Sequence, residues 1–214
     1  MSPSRQRKAQ AGVGAFLNIP YDPKFERLYI AYIAGLSACG LVPRSALEVP
    51  SGGRLHDRIE RIFSIVRECP YSLHDLSHVQ LDSVKPRTPR FNMPFELGMA
   101  VAWEITKDRG HTWFVFEAQK GRLAKSLSDL RGVDEFVHYG TVAGLLGSLN
   151  NAFVRRDHRP RMHEVQSIYR DLRRALPLIQ AEAGAKSSFE TRVFLDLVVA
   201  AGISARRHIS WLSG

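Results

Sequence analysis

Nine polar side chains fall in four short stretches that separate apolar segments: Asn18, Tyr21 and Asp22; Arg44 and Glu48; Asp75 and Ser77; Asn92 and Glu96. Pro20 and Met93 sit among them. Turn chemistry accounts for about one polar residue per loop. It does not ask for clustered carboxylates and an arginine. A carboxylate beside a sugar can stabilise or capture the oxocarbenium-like centre formed when a ribosyl C–N bond breaks. A neutral nucleobase must also be protonated to leave, which needs a second acid. The nicotinamide of NAD is already a cation and leaves neutral, so one carboxylate suffices.

The elements around these stretches place them together. Ala15–Ile19 reads as a buried strand stopped by Pro20. Lys24 to Cys39 has helical spacing and closes at Gly40 in the C′ position. A second strand opens at Leu41 and a second helix spans Asp57 to Cys69. A third strand runs from Tyr71 to Asp75, then a polar loop from Asp82 to Arg90, then a helix with Pro94 at N1. Thr112–Phe116 is the clearest strand, and Glu135–His138 a short fifth one. Helices are expected over Arg122–Leu130 and Thr141–Val154, and from Arg161 to the end with a break near Gly184.

Alternating strands and helices predict an α/β fold: a parallel sheet of about five strands with helices on both faces, plus a helical C-terminal extension. The expected divisions are a disordered basic tail over 1–12, an α/β unit over 13–156 and the helical extension over 157–214. In such a sheet the ligand crevice lies at the carboxyl ends of the strands, where the four polar stretches fall.

The string Met93-Pro-Phe-Glu-Leu-Gly-Met-Ala100, following Ser72-Leu-His-Asp-Leu-Ser77, resembles the helix-opening glutamate motif of the nucleoside 2-deoxyribosyltransferase-like proteins and of the related bacterial TIR-like domains. Phe16-Leu-Asn-Ile-Pro-Tyr-Asp22 is similar to their first strand and substrate loop. The resemblance covers about Ala15 to Phe116 and implies a flavodoxin- or Rossmann-like fold that cleaves an N-glycosidic bond. It also implies Glu96 as the catalytic glutamate and Asp75 as the strand-end acid. Where deoxyribosyltransferases carry a further acid before the glutamate, this chain has Arg90, Phe91 and Asn92. That departure, with the chemistry above, favours NAD as substrate, with Asp75 as second acid if burial and Glu96 raise its pKa.

Simpler roles stand beside these. Glu96 can be a capping or dipole residue in a first helical turn, Asp75 a helix cap, and Arg44 and Glu48 a surface ion pair or a phosphate grip. Alternative functions are a (deoxy)nucleoside 5′-phosphate hydrolase or transferase, or a non-catalytic nucleotide-binding signalling module whose basic helical C-terminus contacts a partner; a homo-oligomer is a separate expectation. The chain has 214 residues, 44% hydrophobic and 24% charged, which is globular composition. No apolar run is long enough for a membrane helix, so a cytoplasmic protein is expected. Cys39 and Cys69, and the histidines His56, His74 and His78, have no metal-site spacing, so no metal and no bound cofactor is expected. The net charge is +9, and Arg155 to Arg174 holds seven arginines against Asp157, Glu164 and Asp171. This is a solvated helix face, or a weaker candidate for nucleic-acid contact.

Overall fold

A computed structural model describes residues 12–49, 55–78, 85–86, 88–106, 110–153 and 159–213. The basic tail up to residue 11, the Ser51-Gly52-Gly53 loop, the His56 side chain, residues 82–84 and 87 of the Asp82–Arg90 loop and Arg155–Asp157 lie outside the described residues.

Five strands form one all-parallel sheet: β1 Val13–Asn18, β2 Leu41–Ser45, β3 Tyr71–Asp75, β4 Thr112–Glu117 and β5 Glu135–Val137. Their order is β2-β1-β3-β4-β5. Leu17 lies opposite both Ser45 and Leu73, and Asn18 opposite His74. The chain leaves β1 towards β2 on one side and returns to β3 on the other, so the strand order reverses there and opens the crevice. The polar stretches after β1, β2 and β3 all begin at that end of the sheet.

Side chains alternate between the two faces of the sheet. Ala15, Leu17 and Leu73 join α1 (Glu26–Ala38) and α5 (Val142–Ala152) in the main core. Phe16 joins the opposite core with Ile62, Ile65 and Val66 of α2 (Leu55–Glu68) and Ala100 of α3 (Asn92–Thr106). The short α4 (Arg122–Ser126) adds Leu123 to a third cluster with Leu97 and Val115. A 3-10 turn, Ser128–Leu130, takes the rest of the expected Arg122–Leu130 helix.

Helix α1 is buried continuously from Leu28 to Ala38. A helix covering one face of a sheet normally shows water its outer side. Here that side is covered by α6 (Met162–Ala183) and α7 (Thr191–His208), whose Ile168, Leu172, Phe194 and Leu197 belong to the same core cluster as α1. Gly40, at φ +73°, ends α1 in the left-handed conformation that glycine tolerates best. Asp171 staples the two C-terminal helices by accepting from Ser204 Oγ (2.7 Å) and His208 Nε2 (2.9 Å). Of the basic segment, Arg173 pairs with Glu26 of α1 (3.3 Å) and Arg170 donates to Ser167 (3.0 Å). No helix among the described residues is long and apolar enough to cross a membrane.

Helix α3 begins two residues earlier than the sequence suggests. Phe95 N–H already donates to the Phe91 carbonyl (2.9 Å), so Pro94 is the third helical residue rather than N1. A proline is tolerated there because its missing N–H is one the first turn would leave unpaired. Glu96 therefore stands in the second turn, beyond the reach of a cap and past most of the helix-terminal field.

Candidate functional site

Asn18, the last residue of β1, fixes the start of α3. Its side-chain amide donates to the Met93 carbonyl (2.8 Å) and to His74 Nδ1 (2.9 Å). His74 must then carry its hydrogen on Nε2, which faces Ser72 Oγ (2.9 Å). Ser72 Oγ meets His111 Nε2 (2.8 Å), and His111 Nδ1 donates to the Cys69 carbonyl (2.8 Å). Every donor in this buried row faces one acceptor, so both histidines are neutral with defined tautomers. Burial, with His111 nearby, lowers the His74 pKa to about 3. Burial lowers that of His111 as well. Replacing Asn18 with Ala is expected to cost about 1–3 kcal/mol, measured by urea unfolding, because two buried acceptors lose their donor.

Glu96 faces inward from α3 and is half-buried. Desolvation raises its pKa to about 7, against the lowering effect of the Arg58 guanidinium. Tyr21 is in the same group: its hydroxyl stays protonated because burial, and then the negative charges of Glu96 and Glu48, push its pKa up. The Tyr21 hydroxyl donates to the Leu17 carbonyl (3.1 Å) and takes a hydrogen bond from Ser45 Oγ (2.7 Å). Pro20 is buried and Asn92 is exposed. Met93 is buried, and its carbonyl is occupied by Asn18.

A cavity of about 400 Å³ opens beside Arg58, between the turn that follows β2 and the start of α7. Its walls include Leu47, Phe189, Thr191 and Arg192, with Glu190 at the helix start. Thr191 Oγ1 ties the start of α7 to the turn after β2 by donating to the Leu47 carbonyl (2.7 Å). Arg58, Phe189 and Arg192 carry no signal in the sequence: a charged residue on an amphipathic helix and an arginine 134 positions later look like ordinary surface.

Asp75 belongs to a different group. It is fully buried, accepting from Tyr32 Oη (2.7 Å), from His138 Nε2 (3.1 Å) and from the Ser77 backbone N–H (2.9 Å). Gly140 N–H donates to His138 Nδ1 (3.0 Å), which places the ring hydrogen on Nε2. That same Nε2 also approaches Ser77 Oγ (3.0 Å). The expectation of a raised Asp75 pKa is corrected here. Burial pushes it up, but the hydrogen bond and electrostatic attraction of His138, with the bonds from Ser77 and Tyr32, outweigh burial and hold it below the usual carboxylate range. Three hydrogen bonds thus hold Asp75 as an ionised acceptor. His138 was within reach of the crevice rule, since it follows directly on β5; Tyr32, inside an apolar helix, was not.

The other expected residues close the rim. Asp22 Oδ1 caps the turn at Lys24 and Phe25, while Oδ2 meets His78 Nδ1 (3.0 Å) and Arg90 (3.2 Å). Arg44 reaches Glu48 (2.9 Å) and Glu68 (3.4 Å), and Glu48 also accepts from Ser45 N–H (2.9 Å) in a capping box. Arg122, paired with the buried Glu117, also donates to the Ser77 carbonyl (2.8 Å) and seals the β3–β4 end. The structure therefore brings Tyr21, Glu96 and Arg58 together, puts Asp75 and Ser77 with His138, and turns Arg44 towards α2. No group of metal-ligating side chains occurs among the described residues. No protein-family model and no curated protein matches this sequence.

Proposed function

We propose that this protein is a nucleotide N-glycosidase, acting on NAD at the nicotinamide–ribose bond with Glu96 as the catalytic carboxylate. The observation that carries this reading is Glu96 itself: a desolvated carboxyl with pKa about 7, beyond any capping role, beside Tyr21 and Arg58 at the switch point of the sheet. The resemblance of Met93–Ala100 to the deoxyribosyltransferase-like motif supports the same role. In the reaction the C1′–N bond breaks and its electron pair neutralises the pyridinium nitrogen. The ribosyl cation faces the Glu96 carboxylate, and water then adds to C1′ and loses a proton, giving ADP-ribose, nicotinamide and H⁺. The base needs no proton, which suits a site whose other strand-end acid, Asp75, is held ionised. Arg58 and Arg192, which line the same cavity, suit a phosphorylated substrate rather than a nucleoside.

The test is chromatography of NAD, nucleotides and nucleosides after incubation with the protein. Nicotinamide and ADP-ribose are the expected products; free base from a nucleoside 5′-phosphate with NAD untouched would select the hydrolase alternative. The pH profile separates the two chemistries. The ionised form of Glu96 exists above its pKa, so kcat/KM for NAD is expected to rise with pH through about 7 and then level off. A neutral base needing protonated Glu96 would give the opposite limb, falling above about 7.

A further inference from the structure

We propose that the outward face of α3 is a self-complementary contact surface for a second copy of this chain, the two α3 helices lying antiparallel across Gly98 and Ala102. Phe91, Phe95 and Ile105 are 65%, 55% and 76% exposed. Gly98 and Ala102, also exposed, complete the row. At about 100° per residue these five positions fall within an arc of about 80°, a single straight stripe with the 4-3-4-3 spacing of a helix–helix seam. Scattered exposed apolar residues need no explanation, but a contiguous row of them marks an interaction site.

The pattern of sizes selects a copy of itself as partner. Counted from Ala100, Gly98 and Ala102 stand two residues to either side, and Phe95 and Ile105 five to either side. A two-fold axis through that point pairs four of the five positions: small against small at the crossing, Phe95 against the other copy's Ile105 on either side, with Phe91 beyond the paired stretch. A Cβ placed on Gly98 would meet nothing within 4 Å, so this crossing point is open to a neighbouring backbone. Small residues there let two helix axes approach to about 8 Å. A groove of about 320 Å³ runs alongside, between α3 and the turn at Leu127–Leu130, and is suited to receive the partner's Phe95 ring.

Charge does not oppose the contact at this face. The chain carries +9, so two copies repel over most of their surfaces. The stripe holds no ionisable side chain. Glu96 and Glu104 project from other sides of α3, Glu104 accepting from Trp113 Nε1 (2.5 Å), so among the described residues of α3 no like charges meet across the axis.

Sedimentation equilibrium of the full chain at high micromolar concentration decides the matter. The wild type is expected at the two-chain mass. Gly98→Arg, which fills open space and improves helix propensity, is expected to sediment as a single chain with an unchanged circular dichroism spectrum and an equal or higher melting temperature. Ile105→Lys, at the most exposed position, is expected to do the same should Gly98→Arg fail to fold. The half-exposed row Leu195, Val199 and Ile203 on α7 serves as control, and Leu195→Lys is expected to keep the two-chain mass. A wild type that stays a single chain would overturn the proposal. So would a two-chain mass that survives both α3 variants or is lost with Leu195→Lys.

Discussion

Replacing Glu96 with Gln is expected to lower N-glycosidase turnover by about 10²–10⁴-fold while making the folded protein more stable above neutral pH. The two effects share one cause. The folded-state pKa is raised from 4.5 to about 7, so the fold prefers the protonated carboxyl. Stability relative to the variant is complete below pH 4.5, falls as pH rises between 4.5 and about 7, and is flat above that. At about 1.4 kcal/mol per pKa unit the penalty is at most about 3 kcal/mol, and relaxation around a half-buried group brings the expected value to about 1–3 kcal/mol. Thermal unfolding at pH 4 and pH 8 measures it: the melting temperatures should match at pH 4 and the Gln variant should be higher at pH 8. A catalytic carboxylate kept at the expense of stability has this signature; a capping glutamate has the reverse. Equal NAD turnover by both proteins would remove Glu96 from the chemistry.

The largest loss of stability is expected from Asp75→Ala, about 3–5 kcal/mol at neutral pH. The substitution leaves the Tyr32 hydroxyl, His138 Nε2–H and the Ser77 amide without their acceptor in a buried site. Urea titration should show a lower midpoint with an unchanged slope. The pH dependence runs opposite to that of Glu96. The Asp75 pKa is lowered from 3.8, so its contribution is present above that value and is lost as pH falls through the folded pKa. Asp75→Asn should lose less, since its amide oxygen can still accept from Ser77. Near-native stability with abolished turnover would instead assign Asp75 to the reaction.

The sheet was legible because parallel strands buried on both faces are short apolar runs, and Ala15–Ile19 and Thr112–Phe116 carry that mark. Gly40 marked the end of α1 for an equally local reason. The start of α3 was misplaced because proline signals a first turn without saying which residue of it. Helix α1 reads as amphipathic, yet it is buried all round, since covering its outer side takes helices more than 120 residues away in the chain. The site divides along the same line. Asn18, Tyr21 and Glu96 stand beside strand ends and could be placed by topology. Arg58, His138 and the Phe189–Arg192 wall depend on which distant segments pack together, and no local pattern encodes that.

The row from Asn18 to the Cys69 carbonyl gives the interior of the sheet a fixed polarity. It ends on a main-chain oxygen at each side, at Met93 and at Cys69, and neither end can supply a hydrogen. An incoming proton could be accepted only by breaking a link, so the row behaves as an insulator rather than a wire. Over the interval in which Glu96 changes charge, two histidines lie within the same fold and remain silent.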